Sequence, residues 1–172
     1  MPNMNSTPAL PVCCTPLDDH WPLPFVLPDT VLLSTHFDSA RLASDDFQRS
    51  AVEAPASIQR SVAKRQAEFL AGRVCARAAL QRLEGLNVVP AIGEDRAPVW
   101  PAHITGSITH GTGRAAAIVA NKNHWRGLGM DLEKETCSMP NGPNAWPGKS
   151  SIHRSYSAWR PVIRINGRYW SP

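Results

Sequence analysis

The spacing of apolar residues changes several times along this chain, and each change marks a predicted element. Residues 1–30 have no apolar period, and Pro11, Pro16, Pro22, Pro24 and Pro28 break any regular run. Proline fixes φ and donates no amide, so neither a helix nor a central strand fits there. The stretch predicts an extended arm laid over the rest, with Trp21, Leu23 and Phe25 as anchors. Residues 31–37 (VLLSTHF) predict a short strand between Pro28-Asp29 and Asp38, and Asp45-Asp46-Phe47 predicts a short helix. From 57 to 83 the period becomes helical: Ile58, Val62, Phe69, Leu70, Val74, Ala78, Leu80 and Leu83 form one stripe. Pro55 precedes it, Ser57 is the predicted N-cap and Gly85 follows its end. Three strands are then predicted at 104–109, 115–120 and 127–132, joined by Gly111-Thr112-Gly113 and Asn121-Lys122-Asn123. The alanines at 115–117 are weak strand formers, but their small side chains would let a helix pack tightly.

The polar residues set into this pattern carry the candidate chemistry. Gly106-Ser107-Ile108-Thr109-His110-Gly111 places two hydroxyls and an imidazole between glycines, which suits a phosphate. A turn with a satisfied histidine is the competing explanation. In Gly129-Met130-Asp131-Leu132-Glu133 the strand period puts both carboxylates on one face. That suits Mg²⁺, which takes one or two carboxylates with phosphate and water, or equally a polar strand end in solvent. Arg73 and Arg77 stand four apart on one helix face, as an anion contact or as a solvated face. Gly72 costs that helix about 1 kcal/mol relative to alanine, which points to a close approach there. Arg96 lies in a turn-rich connector, where pairing with Glu94 or Asp95 is favoured over reaching a phosphate.

Composition narrows the function classes. The 172 residues suffice for one domain with a core. The net charge of +4 invites a nucleic-acid partner, but residues 1–134 hold 13 basic and 13 acidic residues. The whole excess sits in 135–172, so no nucleic-acid partner is expected. No apolar run reaches the ~18 residues of a membrane span, and the N-terminus lacks the pattern of a secretory signal. Cys13, Cys14, Cys75 and Cys137 have no metal-type spacing, and a reduced, cytoplasmic setting is expected.

Four motifs follow in order: Lys64-Arg65-x-x-Glu68-Phe69-Leu70-Ala71-Gly72-Arg73-x-x-Ala76-Arg77, then Arg96-Ala97-Pro98-Val99-Trp100-Pro101, then Gly106-Ser107-Ile108-Thr109-His110, then Gly129-Met130-Asp131-Leu132-Glu133. In this order they resemble the 4′-phosphopantetheinyl transferases, in particular the enterobactin-synthase component D type, over about residues 14–134. The resemblance implies an α+β fold of two similar halves with coenzyme A between them. It implies transfer of 4′-phosphopantetheine from coenzyme A to a serine of an apo acyl or peptidyl carrier protein, with Mg²⁺, in siderophore or fatty-acid synthesis. A siderophore synthetase complex is an implied partner. Arg73 and Arg77 would contact coenzyme A near its 3′-phosphate, Arg96 would lie along the nucleotide, Thr109 and His110 would hold phosphate, and Ser107 would line the pocket. Asp131 and Glu133 would bind the metal.

The expected organisation is an arm at 1–30, a first half-domain at 31–120, the start of a second half at 121–134, and an aberrant, disordered tail at 135–172. The family's third motif, F/W-S-x-K-E-S-x-x-K, is absent, so no catalytic residue is assigned. Residues 1–134 contain 13 leucines and residues 135–172 none, while the tail holds three of the six tryptophans. The shift predicts a frameshift after about Lys134, with a natural short variant whose tail binds an acidic partner as the alternative, a strand at 127–132 whose sheet never forms, and impaired activity. The alternative function is a non-catalytic fragment that binds coenzyme A or a carrier protein.

Overall fold

The longest element of the computed structural model is a helix at Ala63–Glu84, which lies across a three-stranded antiparallel sheet. The structure describes residues 8–135, 158–165 and 168–170, with side chains described as far as residue 132. In chain order the elements are β1 (Thr30–His36), a 3₁₀ turn at Ser39–Arg41, α1 (Asp46–Arg49), α2 (Ala56–Gln59) and α3 (Ala63–Glu84). There follow β2 (Ala91–Ile92), β3 (Pro98–Val99), β4 (Ile104–Gly111), β5 (Arg114–Asn121) and β6 (Leu128–Glu135), then β7 (Ala158–Ile165) and β8 (Arg168–Trp170). The main sheet has the order β1-β5-β4, with Leu32 opposite Ile118 and Ile108 opposite Ala117. The mixture of helices and antiparallel sheets is the α+β class expected from the sequence.

Both faces of β5 are buried, which explains its run of small residues. Ala115, Ala117 and Val119 face α3 and pack with Ala71, Cys75, Ala76, Ala79 and their neighbours. Ala116, Ile118 and Ala120 face the other way, against Leu23 and Leu27 of the arm and Leu128 and Met130 of β6. Between α3 and β4 the fit is closest at Gly72, where an added Cβ would stand 2.7 Å from Ile108 Cγ2. The glycine that weakens the helix is the one that admits the strand.

The helix departs from its sequence pattern in two ways. A continuous helix from 57 is replaced by α2 and α3, separated at residues 60–62. The Ser61 hydroxyl bonds back to the Ser57 carbonyl at 2.7 Å, and the Gln66 amide reaches the carbonyls of Gln59 and Ser61 at 3.1 and 2.8 Å. Such side-chain bonds compete with the helical ladder, so the cap of α3 is Val62 rather than Ser57. Gly85 closes the helix in the left-handed conformation (φ 70°), as expected. The middle of α3 is buried around most of its circumference, Arg73 and Arg77 included, because the sheet covers one side and the segment running through α1 and α2 another.

The arm does lie over the domain, although its anchors differ in part. Leu23 and Leu27 are buried and Trp21 packs beside them, whereas Phe25 is 41% exposed. Further back, Cys13 is buried, and the Val12 and Cys13 amides point at the buried Asp46 carboxylate, at 2.7 and 3.4 Å. The Ala43 amide adds a third contact at 3.0 Å. Burial alone would raise the Asp46 pKa, but these amides outweigh it and hold the carboxyl below its usual value.

The absent sheet expected after Lys134 is not what the described backbone forms. β7 and β8 lie within 135–172, and β6-β7-β8 is a three-stranded antiparallel sheet with Leu128 opposite Ile165. Residues 136–157 of the expected tail lie outside the described residues. The segment 158–165 contains Val162, Ile163 and Ile165, good strand formers, and β6 offers an edge of unpaired amides and carbonyls.

Gly72→Ala is expected to destabilise the fold by about 1–3 kcal/mol despite its better helix propensity, because the added methyl overpacks against Ile108. A urea-unfolding double-mutant cycle with Ile108→Ala should recover part of that loss. Asp46→Ala should cost about 3 kcal/mol by orphaning buried amides. In the parent protein Asp46's depressed pKa makes its stabilisation full above the unfolded carboxylate value of about 3.9. That stabilisation is lost as pH falls through the lower folded value, and acid titration of the melting temperature checks both.

Candidate functional site

The candidate site wraps around the C-terminal end of β4, because consecutive residues there point to opposite faces of the sheet. Gly106 and Ile108 face Trp100 and α3, and His110 continues that side. Ser107 and Thr109 face β6. The two sides meet beyond the strand edge.

On the helix side His110 meets the first turns of α3. Arg65 Nη1 lies 3.0 Å from His110 Nε2, and Glu68 Oε2 lies 3.6 Å from both His110 Nδ1 and Arg65 Nη1. An arginine only donates, so Nε2 accepts and the ring proton sits on Nδ1, facing Glu68. Burial lowers the His110 pKa; Glu68 and Asp131 oppose this, while Arg65 and Lys64 reinforce it. The neutral ring is therefore favoured. Sequence reasoning did not single out Arg65 and Glu68 as site residues, although both stand in the helix motif quoted above.

On the strand side the Thr109 hydroxyl donates to Asp131 Oδ1 at 3.2 Å. Asp131 is exposed while Met130 is buried and Leu132 packs on the core, which is the predicted alternation. The Glu133 side chain lies outside the described ones; its backbone stands two residues on from Asp131 and pairs opposite Arg160. Ser107 is engaged elsewhere: its Oγ takes the Met130 amide at 3.1 Å and lies 3.5 Å from the Met130 carbonyl.

The arginines separate into three environments. Arg73 is only 5% exposed, its Nε has no hydrogen-bond partner, and its guanidinium sits 5.0 Å over the Phe69 ring. Burial lowers its pKa to about 10, so it stays charged at neutral pH. Arg77 is also buried, and Nη1 donates to the carbonyls of Ser50 and Ala51, the latter at 3.5 Å. That bond holds a bend at which Ala51 has φ 49°. The solvated-face alternative for these two residues fails. Arg96 (φ 67°) is exposed in the turn between β2 and β3. The pairing with Glu94 or Asp95 favoured from sequence is absent among the described residues, because Asp95 Oδ1 accepts the Ala97 amide at 2.9 Å instead. A cleft of about 970 Å³ opens beside α3, lined by Phe69 and Arg77, by Glu53 and Ser57, and by Ala91 and Ile92 of the hairpin that carries Arg96.

Residues 53–120 match the 4′-phosphopantetheinyl transferase N-terminal domain. Residues 53–120 therefore carry the N-terminal domain of that family. Over 85 residues it is 42% identical to the 4′-phosphopantetheinyl transferase Npt of Nocardia iowensis, covering 49% of this chain and 38% of the relative. It is 44% identical over 79 residues to enterobactin synthase component D of Escherichia coli O157:H7, covering 46% and 36%. The 4′-phosphopantetheinyl transferase PptT of Mycobacterium tuberculosis is 43% identical over 91 residues, covering 52% and 39%. The chain thus spans well under half the length of these relatives.

The donor set fits the two groups the superfamily implies. The oxygens of Thr109 and Asp131 are hard donors suited to Mg²⁺. Arg65 beside His110 suits a phosphate, as does, further along α3, the unpartnered Nε of buried Arg73.

Arg65→Met should raise the His110 midpoint and Glu68→Gln should lower it further, read from the ring resonances in an NMR titration. With a depressed pKa, protonation of His110 destabilises the fold as pH falls below the unfolded value of about 6.5.

Proposed function

We propose that this chain is built to bind coenzyme A with Mg²⁺ and to move its 4′-phosphopantetheine arm to a serine of an apo acyl or peptidyl carrier protein. The observation that carries this reading is the contact between Thr109 and Asp131, which sets a phosphate-type hydroxyl against a metal-type carboxylate. Arg65 and His110 flank the same strand end, and Arg73 adds a buried cation about two turns further along α3.

In this reading Thr109, His110 and Arg65 orient the pyrophosphate, and Arg73 neutralises a phosphate at the nucleotide end. Phe69, Arg77 and the Arg96 hairpin border the cleft for the nucleotide. Asp131 and Glu133 would hold Mg²⁺, which would supply charge neutralisation along the pyrophosphate. In the transfer the carrier serine oxygen forms a bond to the β-phosphorus. The bridging phosphorus–oxygen bond breaks, and adenosine 3′,5′-bisphosphate leaves with the electron pair. The serine proton needs an acceptor; the resemblance gives the third-motif glutamate either that role or completion of the metal site, and that motif is not among these 172 residues. We therefore propose weak turnover or none with coenzyme A binding retained, and this absence is what favours the second reading of a coenzyme A- or carrier-binding fragment.

The setting proposed is the cytoplasm, where the free thiols of Cys13, Cys14 and Cys75 persist. No helix among the described residues is long and apolar enough to cross a membrane. Siderophore synthetases are the carriers to try first, since several relatives are enterobactin synthase components.

The test is to incubate the full chain with apo carrier protein, coenzyme A and Mg²⁺, following the carrier by mass spectrometry and coenzyme binding by calorimetry. Binding with slow or absent labelling supports the proposal; absence of coenzyme A binding sinks it, and labelling at the rate of a full-length relative removes the impairment. Arg73→Met should weaken coenzyme A about tenfold or more, at ~1.4 kcal/mol per tenfold. Its melting temperature should stay the same or rise, since a buried, under-paired charge is removed.

A further inference from the structure

Ser107 occupies an unusual place between two sheets. β4 is an edge strand of β1-β5-β4, and β6 is an edge strand of β6-β7-β8. The two strands approach each other, with β6 packed on the sheet face to which Ser107 and Thr109 point, yet no backbone ladder joins them among the described residues. In the antiparallel pair β6-β7 a residue turns both its amide and its carbonyl either toward the partner strand or away from it. Met130 turns both toward β4, because the Ser107 hydroxyl reaches both of them, at 3.1 and 3.5 Å. Met130 is buried, so water is a poor substitute, and unpaired backbone groups there are costly. One hydroxyl, accepting from the amide and donating to the carbonyl, satisfies both backbone groups.

That brace lies one residue from Asp131. Two residues along β4, on the same face, Thr109 reaches Asp131 itself. Main-chain attachment at Ser107–Met130 therefore fixes the height of β6 against β4, and with it the position of the Asp131 carboxylate beside Thr109. We propose that Ser107 is a positioning residue for the divalent-cation site, acting through the Met130 backbone and making no contact with the coenzyme. This rests on the proposed metal role of Asp131, and it replaces the pocket-lining role that the family resemblance implies for Ser107.

The roles differ in what they predict. A pocket-lining hydroxyl affects coenzyme A with or without metal. A brace affects the metal and the Met130 amide, and leaves coenzyme A binding in chelator alone. The full chain and its Ser107→Ala, Ser107→Thr and Asp131→Asn variants are titrated with Mn²⁺ by electron paramagnetic resonance, and with coenzyme A in excess chelator by calorimetry. Hydrogen exchange of the Met130 amide is followed in parallel.

Removing a group that orients a metal ligand typically weakens the metal about 10- to 100-fold. Ser107→Ala should therefore lose at least about tenfold in Mn²⁺ affinity, with faster Met130 exchange, unchanged exchange in β5 and unchanged coenzyme A affinity in chelator. Ser107→Thr, which keeps the hydroxyl, should restore the metal affinity. A Ser107→Ala variant that binds Mn²⁺ like the parent overturns the proposal, as does one that loses coenzyme A affinity in chelator. If Asp131→Asn also binds Mn²⁺ normally, it is the metal reading that fails. The brace is then judged on Met130 exchange alone, where an unchanged rate overturns it.

Discussion

The close approach of α3 to β4 and β5 is the contact on which the arrangement depends. At its centre the facing residues are small: Gly72 and Ala76 on the helix, Ala115 and Ala117 on β5. Small residues bury little area each, so the gain lies in how near the backbones come and in how many atoms then touch. The approach carries Ile108 onto Gly72, and two residues later it carries His110 onto Arg65 and Glu68. The packing of the core and the geometry of the site are one feature seen at two points along β4. The opposite face of the sheet obeys a different constraint. It is closed by the arm through Leu23 and Leu27 and by β6 through Leu128 and Met130, so it depends on chain segments from both ends of the described fold.

The charges near α3 are arranged at a cost that packing alone does not explain. Arg77 is buried but satisfied by two carbonyls, so it holds the bend at Ala51 in place. Arg73 is buried with an unpartnered Nε and only an aromatic face beneath it. A desolvated, under-paired cation weakens a fold unless something supplies the missing charge. The two arginines look alike in sequence and differ in consequence: one is a structural tie, the other a buried cation left under-paired.

The order of elements was legible in the sequence, because strand and helix periods are local. The period of two that placed Asp131 outward and Met130 inward held over the residues described, and Gly72 announced a close contact before its partner was known. What was not legible came from distance. Nothing in the periodicity of 57–83 marks residues 60–62 as a break, since the bonds that end α2 run from Ser61 and Gln66 side chains to nearby carbonyls. The burial of Arg73 and Arg77 needs the segment through α1 and α2 to fold over a face that looks polar in isolation. Phe25 resembled an anchor by size, yet Leu27 took that place because it points into the cluster under β6. Residues 158–165 were read as irregular for want of leucine, whereas an exposed edge on β6 asks only for a segment able to extend beside it.

The edges of β4 and β6 also decide how the site is held together. Asp131 lies on β6, and the other residues of the proposed site lie on β4 and α3, which belong to the first sheet and its helix. No ladder joins the two sheets among the described residues, so the register of β6 against β4 rests on side chains: the apolar contacts of Leu128 and Met130, and the hydroxyls of Ser107 and Thr109. Apolar contacts set distance but tolerate sliding along the strand. Hydrogen bonds are directional and do not. A slip of one residue would turn Asp131 into the core and Leu132 out to solvent, because strand faces alternate. Thr109 alone does not prevent this, since its partner is the carboxylate that a bound cation would recruit. Ser107 grips the main chain, which a ligand leaves free, and so the register survives whether or not the site is filled.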